Sequence, residues 1–427
     1  MAESETEPTS TGPDAPNGPE ARSSRNKQHW PQGELAVGGF SRLERKFGSH
    51  ANADEDPFPR PTQETFSNEQ LNVKKDLLSK LRSNLLPQLR HHTTTLSRSL
   101  DPDRLQQDPG LHLKIILELQ SDIDQTLNQV AFTIYAVCPD PESSLTTRIN
   151  DRHLKEFKFF RTDGLHCRIA DEFCPELCSI FSEGKDLIQQ MELSTTKYPH
   201  ATHIASSTES IKYRTWCALF EIDSAIEWLE GSEFDLVRRD WPMEVRGINQ
   251  YLEFLGEIIN RTAHLNEANT MSTPEPLSNQ AIQLYKSLLP SMKLSRMFFN
   301  KVVNRAMSRK RLPLFTEMRS DQLRSIGELA ELVCSDLHDI MDALKTADSF
   351  GPAVTHFKCN QITKRLEGRF ESALFLILLY FAPLIPDPEG FPVQNDFKAW
   401  FATWYTQFTV AIQHFSNAVD SFNPNVA

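Results

Sequence analysis

The sequence predicts an all-α protein, and three observations lead to that prediction. Glycine is scarce: six of the 16 glycines lie within the N-terminal stretch 1–65, which leaves ten for the rest of the chain. Sheets and phosphate-binding loops use glycine at turns and bulges, whereas helix interiors exclude it. Apolar residues recur at helical spacing over long stretches, and prolines cluster between those stretches. We therefore expect about nine antiparallel helices in one or two helical bundles, preceded by a disordered N-terminal tail.

Residues 1–65 are the predicted tail. They contain eight prolines and six glycines among many polar residues, a composition that cannot bury a core of its own. One stretch departs from this pattern, because Phe40, Leu43 and Phe47 recur at helical spacing among basic residues. Residues 35–47 are therefore either part of the solvated tail or a short helix that docks on a partner or on the body of the protein. The composition of the whole segment favours the tail.

Residues 66–262 are predicted to form an N-terminal helical bundle. A leucine-rich stripe begins after a capping position at residues 67–68 and marks a first helix that ends near residue 99, with a kink at Pro87. Asp-Pro turns separate it from the next helix. Further helical periods occupy residues of about 111–137, 149–193, 207–230 and 241–261.

A polar stretch with two prolines, residues 263–279, is the predicted linker to a C-terminal bundle over residues 280–423. The last helix of that bundle carries the clearest apolar stripe in the chain. A stripe of this kind seals a bundle core more often than it forms an exposed groove for a partner. Helices of this bundle are expected at about 280–308, 315–346, 351–382 and 393–422.

Three features predict a soluble, cytoplasmic or nuclear protein that is not secreted by a classical signal peptide. The stretch Met1 to Pro19 lacks the basic and apolar regions of a secretory signal. The seven cysteines are odd in number and scattered, which favours reduced core thiols over a disulfide framework. The longest uncharged run, Ser372 to Pro386, is too short to cross a bilayer.

The sequence lacks the common catalytic motifs. It has no glycine-rich dinucleotide or phosphate loop, no nucleophile elbow and no zincin motif. Two clusters invite comparison with metal sites: His166 with Cys167, Cys174 and Cys178, and the adjacent pair His338-Asp339. Neither has the further ligands that a metal site requires, so we predict no cofactor, no metal ion and no catalytic residue from the motifs.

The strongest functional signal is electrostatic. Between Glu275 and Glu317 the sequence has eight basic residues and no acidic one, in a chain of net charge −12. A basic amphipathic helix suits acidic or phosphorylated protein partners or a membrane surface. The acidic overall charge argues against nucleic acid as the partner. The candidate partner-binding residues are Lys286, Lys293, Arg296, Lys301, Arg305, Arg309, Lys310 and Arg311.

The basic helix also has a candidate partner within the chain. Residues 221–257 contain ten acidic and three basic residues, so pairing of the two segments would neutralise both. The run at residues 309–311 could alternatively act as a short nuclear-import patch.

Five blocks of the sequence look familiar together: His153-Leu-Lys-Glu-Phe-Lys-Phe-Phe-Arg161, residues 226–236, residues 293–302, Leu312-Pro-Leu-Phe-Thr-Glu-Met318 and residues 370–395. They resemble a helical protein family that is expanded in plant-parasitic rust fungi, and the likeness covers about residues 70–422. More distantly, the layout of two helical halves with a basic helix is similar to the cyclin-D1-binding-protein-1-like group. Both resemblances imply a helical body, and neither implies an activity or site residues.

These observations favour a non-enzymatic, intracellular interaction or scaffold protein. It would bind a protein partner through a helical groove or through the basic helix at residues 280–311. The alternative is an enzyme or small-ligand-binding protein with an inter-bundle site that no motif identifies. An enclosed pocket with titratable groups of perturbed pKa would favour the alternative.

Overall fold

A computed structural model describes residues 26–48, 57–60, 68–139, 150–196, 204–265, 279–305, 312–346, 352–385 and 392–422. Every regular element within these ranges is helical, which confirms the predicted fold class. The chain divides into two compact units, described separately below: residues 1–143 with 162–229, and residues 144–161 with 230–427. None of the described helices is both long and apolar enough to span a membrane.

The first unit is built around the helix α5 (Pro109–Val137), which contacts α1 (Trp30–Phe47), α2 (Asn68–Lys80) and α3 (Leu86–Ser99). The helix α7 (Cys174–Gln190) packs against α1. Fully buried side chains from four of these helices form its core, among them Phe40, Leu96, Ile123 and Phe181. The helix α6, Phe159–His166, contributes its residues from Thr162 onward to this unit. The other helices of the unit are α4 Pro102–Gln107 and α8 Ile204–Glu230.

The helix α1 corrects part of the predicted tail. Residues 1–25 lie outside the described residues, but α1 is helical and packs on the unit with Phe40 stacked on Phe181 at 5.8 Å. The Gln120 side-chain amide donates to the Ala36 carbonyl at 2.7 Å, and Lys46 pairs with Asp124 at 2.6 Å. The docking helix that residues 35–47 suggested is therefore the correct interpretation. Composition averaged over the whole predicted tail concealed it, because one helical face can bury α1 among polar neighbours.

Three prolines within helical segments follow a widened π turn. Pro87 follows the turn Leu81–Leu85, and Pro175 follows the turn Cys167–Phe173. Pro383 follows the turn Ile377–Phe381 in the same way. Proline has no N–H, and its ring collides with the carbonyl four residues earlier in a regular helix. A wider turn relieves that collision, so the chain continues as a helix past Pro87 and Pro175 instead of breaking.

The second unit is a helical bundle in which α11 (Asn279–Arg305) packs most extensively against α15 (Val393–Phe422). The helix α10 (Trp241–Leu265) contacts α11 and α13 (Leu329–Lys345), and α14 (Pro352–Leu376) contacts α13 and α15. Rings from three of these helices meet in the core, where Phe298, Phe370 and Trp404 lie with centroids 4.8–5.2 Å apart. The other helices of this unit are α9 Glu233–Val237 and α12 Ser320–Gly327.

The predicted role of the α15 stripe as bundle core is confirmed. Its apolar side chains are buried, with only Trp400 half-exposed among the described members of the stripe. The buried members are Phe397, Phe401, Trp404, Phe408, Ala411, Phe415, Val419 and Phe422.

The two units divide the chain near Glu230, whereas the predicted boundary was the polar stretch of residues 263–279. The second unit begins again at Glu230 and contains α10, which was assigned to the N-terminal bundle of residues 66–262. Trp241, Ile248 and Leu255 of α10 are buried in its core. The polar stretch at residues 263–279 therefore joins two helices of the same unit. Polar connections occur inside a bundle as well as between bundles, so composition alone could not distinguish the two.

Candidate functional site

The helix α11 is amphipathic in the way that the sequence predicted. Its apolar side, with Leu288, Phe298 and Phe299, is completely buried in the second unit. Lys286 and Lys293 lie on the opposite side, are exposed, and are separated by two helical turns. Neither lysine makes a hydrogen bond or ion pair with the described residues of this unit.

Two other predicted residues have neighbours within the second unit. Arg296 is half-buried and donates a hydrogen bond to the side-chain oxygen of Asn249 at 3.2 Å. The ammonium group of Lys301 lies over the Trp400 ring, 4.8 Å from its centroid, which is within the range of a cation–π contact. The side chain of Arg305 and residues 309–311 lie outside the described residues. The structure therefore places Lys286 and Lys293 together on one face, and engages Arg296 and Lys301 at its edges.

Two acidic residues of the segment 221–257, the candidate partner of α11 within the chain, pair elsewhere. Asp235 pairs with Arg238 at 2.6 Å, three residues along the chain. Glu233 is completely buried and pairs with Lys158, which is also completely buried, at 2.9 Å. The segment nevertheless contacts α11, since Arg296 donates to Asn249, and the exposed lysines of α11 take no part in that contact.

The buried pair of Lys158 and Glu233 is completed by Thr316. The Lys158 ammonium group donates to the Thr316 carbonyl at 2.7 Å. The Glu233 carboxylate accepts hydrogen bonds from the Thr316 N–H at 2.7 Å and from its hydroxyl at 2.6 Å. A buried ion pair is tolerated only when further hydrogen bonds satisfy its remaining groups. Thr316 satisfies Oε2 of Glu233, while Oε1 has only the ion contact with the Lys158 ammonium group among the described residues. The cluster has the character of a structural clamp.

A second polar clamp lies on the same segment. Asp151 is buried, and its carboxylate accepts from the backbone N–H of Phe159 at 2.9 Å and of Ser320 at 3.0 Å. Its other contact is with the Ser320 hydroxyl. Together the two clamps hold residues 151–159 against residues 314–320, so that these polar groups serve the packing of the second unit.

The cluster around His166 is engaged in a way that opposes cation binding. Ligand atoms of His166, Cys167 and Asp171 lie within 4.8 Å of one another, a spacing that a metal ion could use. However, the Arg60 guanidinium contacts Nδ1 of His166 at 2.6 Å, and Nε2 lies 3.1 Å from the Phe58 carbonyl. Arginine only donates, so Nδ1 accepts and Nε2–H donates, which leaves neither ring nitrogen available. The adjacent positive charge of Arg60 would also repel a cation.

Three cysteine thiols of the first unit are held in their protonated form. Burial raises the pKa of Cys138 and of Cys178 to about 12. Burial, aided by Asp163 and Asp171, raises the pKa of Cys167 to about 11. A metal ligand or nucleophile must be a thiolate, so these cysteines are suited to packing.

The pair His338-Asp339 lies in the second unit without the surroundings of a metal site. The Asp339 carboxylate accepts from Arg365 at 3.2 Å, and Nδ1 of His338 lies 3.2 Å from the Tyr251 hydroxyl. Arg365 also binds the buried Asp336, so the charges of this region form an ion network between α13 and α14.

Sequence reasoning missed the feature of the first unit that differs most from an ordinary surface. Tyr213, Trp216 and Phe220 of α8 are all more than half exposed. The helical period predicted at about residues 207–230 was not divided into its two sides. On a helical wheel the three rings lie opposite the buried Ile211 and Ile222, and that separation was available from spacing alone.

The fold and these sites define an all-α protein of two helical units. Residues 232–417 match a family model described as Domain of unknown function (DUF8721), and residues 74–230 match a second described as Domain of unknown function (DUF8723). No curated protein and no solved structure matches the chain. The two matches meet close to Glu230, where the second compact unit resumes.

Proposed function

We propose that this chain is a non-enzymatic, intracellular interaction protein that binds an acidic or phosphorylated protein partner through the basic face of α11. The observation that carries the proposal is the pair of exposed lysines, Lys286 and Lys293. They share one face of a helix whose other face is core, and they have no partner among the described residues of their unit. Met297 lies next to them on the same face and is 46% exposed, which adds an apolar contact to the two charges.

The alternative function is an enzyme or a small-ligand-binding protein, and its enzymatic form would require titratable groups that are free to react. The clusters that could supply them are engaged in fixed contacts: Lys158 with Glu233, His166 with Arg60, and Asp339 with Arg365. An interaction surface is therefore the better-supported function. We also infer that the protein acts in the cytoplasm or the nucleus. The exposed lysines would be solvated there, and surface charges of this kind act mainly on the rate of association with an acidic partner.

The proposal is tested by capturing the partner at this face. The full chain with p-benzoylphenylalanine in place of Met297 is irradiated in its native cells, with the same group at Val354 of α14 as the control position. A partner that crosslinks at position 297 and not at position 354 is identified, purified and used for association kinetics.

The variant Lys286→Glu/Lys293→Glu should then slow association with that partner by about tenfold or more at low salt, because it reverses two steering charges. Its melting temperature should not change, since neither lysine is paired in its unit. The control Lys358→Glu/Lys364→Glu makes the same charge change at exposed positions of α14 and should leave the rate unaltered. An association rate that is unaffected by the first variant would refute the proposed site.

A further inference from the structure

The helix α8 of the first unit presents a row of aromatic rings to solvent. Tyr213, Trp216 and Phe220 are 58%, 64% and 54% exposed. The centroids of the first two rings are 6.4 Å apart and those of the last two 6.0 Å, with interplanar angles of 28° and 22°. We call these three residues the α8 aromatic stripe. Large aromatic surfaces in contact with water are unfavourable, and contiguous ones mark interaction sites.

The α8 aromatic stripe is not required to hold the helix in place. The opposite side of α8 is buried through Ile211, Ala218 and Ile222. Polar contacts fix the helix laterally, since Arg214 pairs with Glu176 of α7 at 3.1 Å and Asp223 pairs with Arg90 of α3 at 3.2 Å. The rings are therefore presented by a helix whose position is set by other residues.

Carboxylates lie at both ends of the aromatic stripe. Glu209 precedes it, and Glu227, which also has a contact within the protein, follows it; both side chains are exposed. At the helical repeat, the two glutamates and the three rings fall within about 40° of a single line along α8. Lys212 is exposed at the edge of this face, about 60° from the line. The face is thus aromatic in the middle and acidic at the ends.

This charge pattern selects among the possible occupants. If a second copy bound through the same stripe, Glu209 of one protomer would lie next to Glu209 or Glu227 of the other, and the two carboxylates would repel each other. Nucleic acid bases can stack on exposed aromatic side chains, but phosphates would meet carboxylates in a chain of net charge −12. A cationic and apolar segment is complementary to both the rings and the ends.

We propose that the α8 aromatic stripe binds an amphipathic helical segment of another protein, in which large apolar residues are flanked on both sides by lysine or arginine. The apolar residues would pack on Trp216 and Phe220, in the mode by which helices dock through residues at successive turns. The basic residues would reach Glu209 and Glu227, which are about 27 Å apart along the helix axis. This surface is separate from the basic face of α11 and takes a partner of opposite charge.

The test uses two synthetic peptides and the full chain. One is a helical peptide of about six turns with leucines at three successive turns and two lysines at each end, and the other has glutamates in place of those lysines. Binding is measured by calorimetry and by the fluorescence of Trp216, compared with Trp216→Phe. The lysine-ended peptide should bind with a Kd of about 1–100 μM, and the glutamate-ended peptide should bind at least about tenfold more weakly.

One double variant and one matched control assign the binding to this surface. Trp216→Ala/Phe220→Ala should weaken the lysine-ended peptide by at least about tenfold, because central aromatic residues dominate interfaces of this kind. The matched control Phe132→Ala/Tyr135→Ala removes two exposed aromatic side chains of α5 and should leave binding unchanged. Both variants should keep the melting temperature of the parent, since they alter exposed positions.

The charge component is tested by exchange. The variant Glu209→Lys/Glu227→Lys should reverse the preference, so that the glutamate-ended peptide becomes the better ligand. The proposal is overturned if the parent protein does not bind the lysine-ended peptide, binds both peptides equally, or binds as well after Trp216→Ala/Phe220→Ala. It is also overturned if sedimentation shows a dimer that this double variant dissociates, since the stripe would then take a second copy. Lys286→Glu/Lys293→Glu should not affect any of these results, so the two proposals can fail separately.

Discussion

Gly33 and Gly38 lie on the same helix, α1, and have opposite surroundings. A Cβ atom at Gly33 would lie 1.8 Å from the carbonyl oxygen of Leu193, a distance that no packing can accept. A Cβ atom at Gly38 would have nothing within 4 Å. Gly33 therefore allows α1 to approach the backbone after α7, where Trp30 also donates to the Glu192 carbonyl at 3.0 Å.

The variant Gly33→Ala should destabilise the protein by about 1–3 kcal/mol, as overpacking of a close contact does. The matched variant Gly38→Ala should stabilise it by up to about 1 kcal/mol, because alanine is the better residue in an exposed helix interior. Urea denaturation of the full chain measures both changes. If the two variants behaved alike, α1 would not be docked as the structure shows.

Helical spacing predicted the boundaries of several helices well, but it predicted less well which of their faces are buried and against which other helices they pack. The boundaries near residues 99, 137, 230 and 422 were close, since caps such as Asp101 and Asp108 and proline turns are local signals. The docking of α1 was predicted only as the alternative to a solvated tail, because it depends on contacts with α5 and α7 that no local pattern reveals. The exposure of Trp216 was also missed. Apolar residues lie on two sides of α8, and the spacing alone does not determine which side becomes buried when distant helices pack.

The same limit applies to the candidate site. The charge pattern of α11 and the burial of its apolar side could be read from the sequence. The partners of individual residues could not be, since Arg296 meets Asn249 and Lys301 meets Trp400 only after distant segments pack together. The clamp between Lys158 and Glu233 joins residues 75 positions apart, and it carries no motif.

The side chain of Trp404 is expected to make a large contribution to the stability of the second unit. Its ring is 3% exposed, stacks on Phe408 at 5.0 Å, and its indole N–H donates to the Leu294 carbonyl at 2.8 Å. Trp404→Ala should cost about 3–5 kcal/mol of unfolding free energy, as large aromatic deletions in packed cores do. Val410→Ala on the same helix alters an exposed side chain and should change stability by less than about 0.5 kcal/mol. Thermal and urea unfolding of the two variants would decide the matter, and a stable Trp404→Ala protein would contradict the packing of α15.

At the scale of the whole molecule, the family matches and the structural units divide the chain differently. The matches change near residue 230, whereas the second unit also includes residues 144–161, which lie within the match to residues 74–230. Lys158 and Asp151 bring this segment into the second unit through Glu233, Thr316 and Ser320. A cut at the family boundary would therefore separate Lys158 and Asp151 from the residues that they contact in the second unit.

The second unit should therefore depend on residues 150–161 for its stability. A fragment of residues 232–427 retains Glu233 but lacks Lys158, so a buried carboxylate would remain without its cation. Loss of one partner from a buried pair costs about 3–5 kcal/mol, which is a large part of the stability of one domain. The fragment should therefore unfold at low denaturant or without cooperativity, as followed by circular dichroism.

Addition of a synthetic peptide of residues 150–161 should restore a cooperative transition, because it supplies Lys158 and Asp151 together. The same peptide with Lys158→Met should restore much less, since Glu233 would stay unpaired, and this comparison separates the ion pair from the remaining contacts of the segment. Cooperative unfolding of the fragment without any peptide would show that residues 150–161 are not an integral part of the second unit. Equal rescue by both peptides would instead show that the segment acts through Asp151 and its apolar contacts, and that the buried ion pair adds little stability.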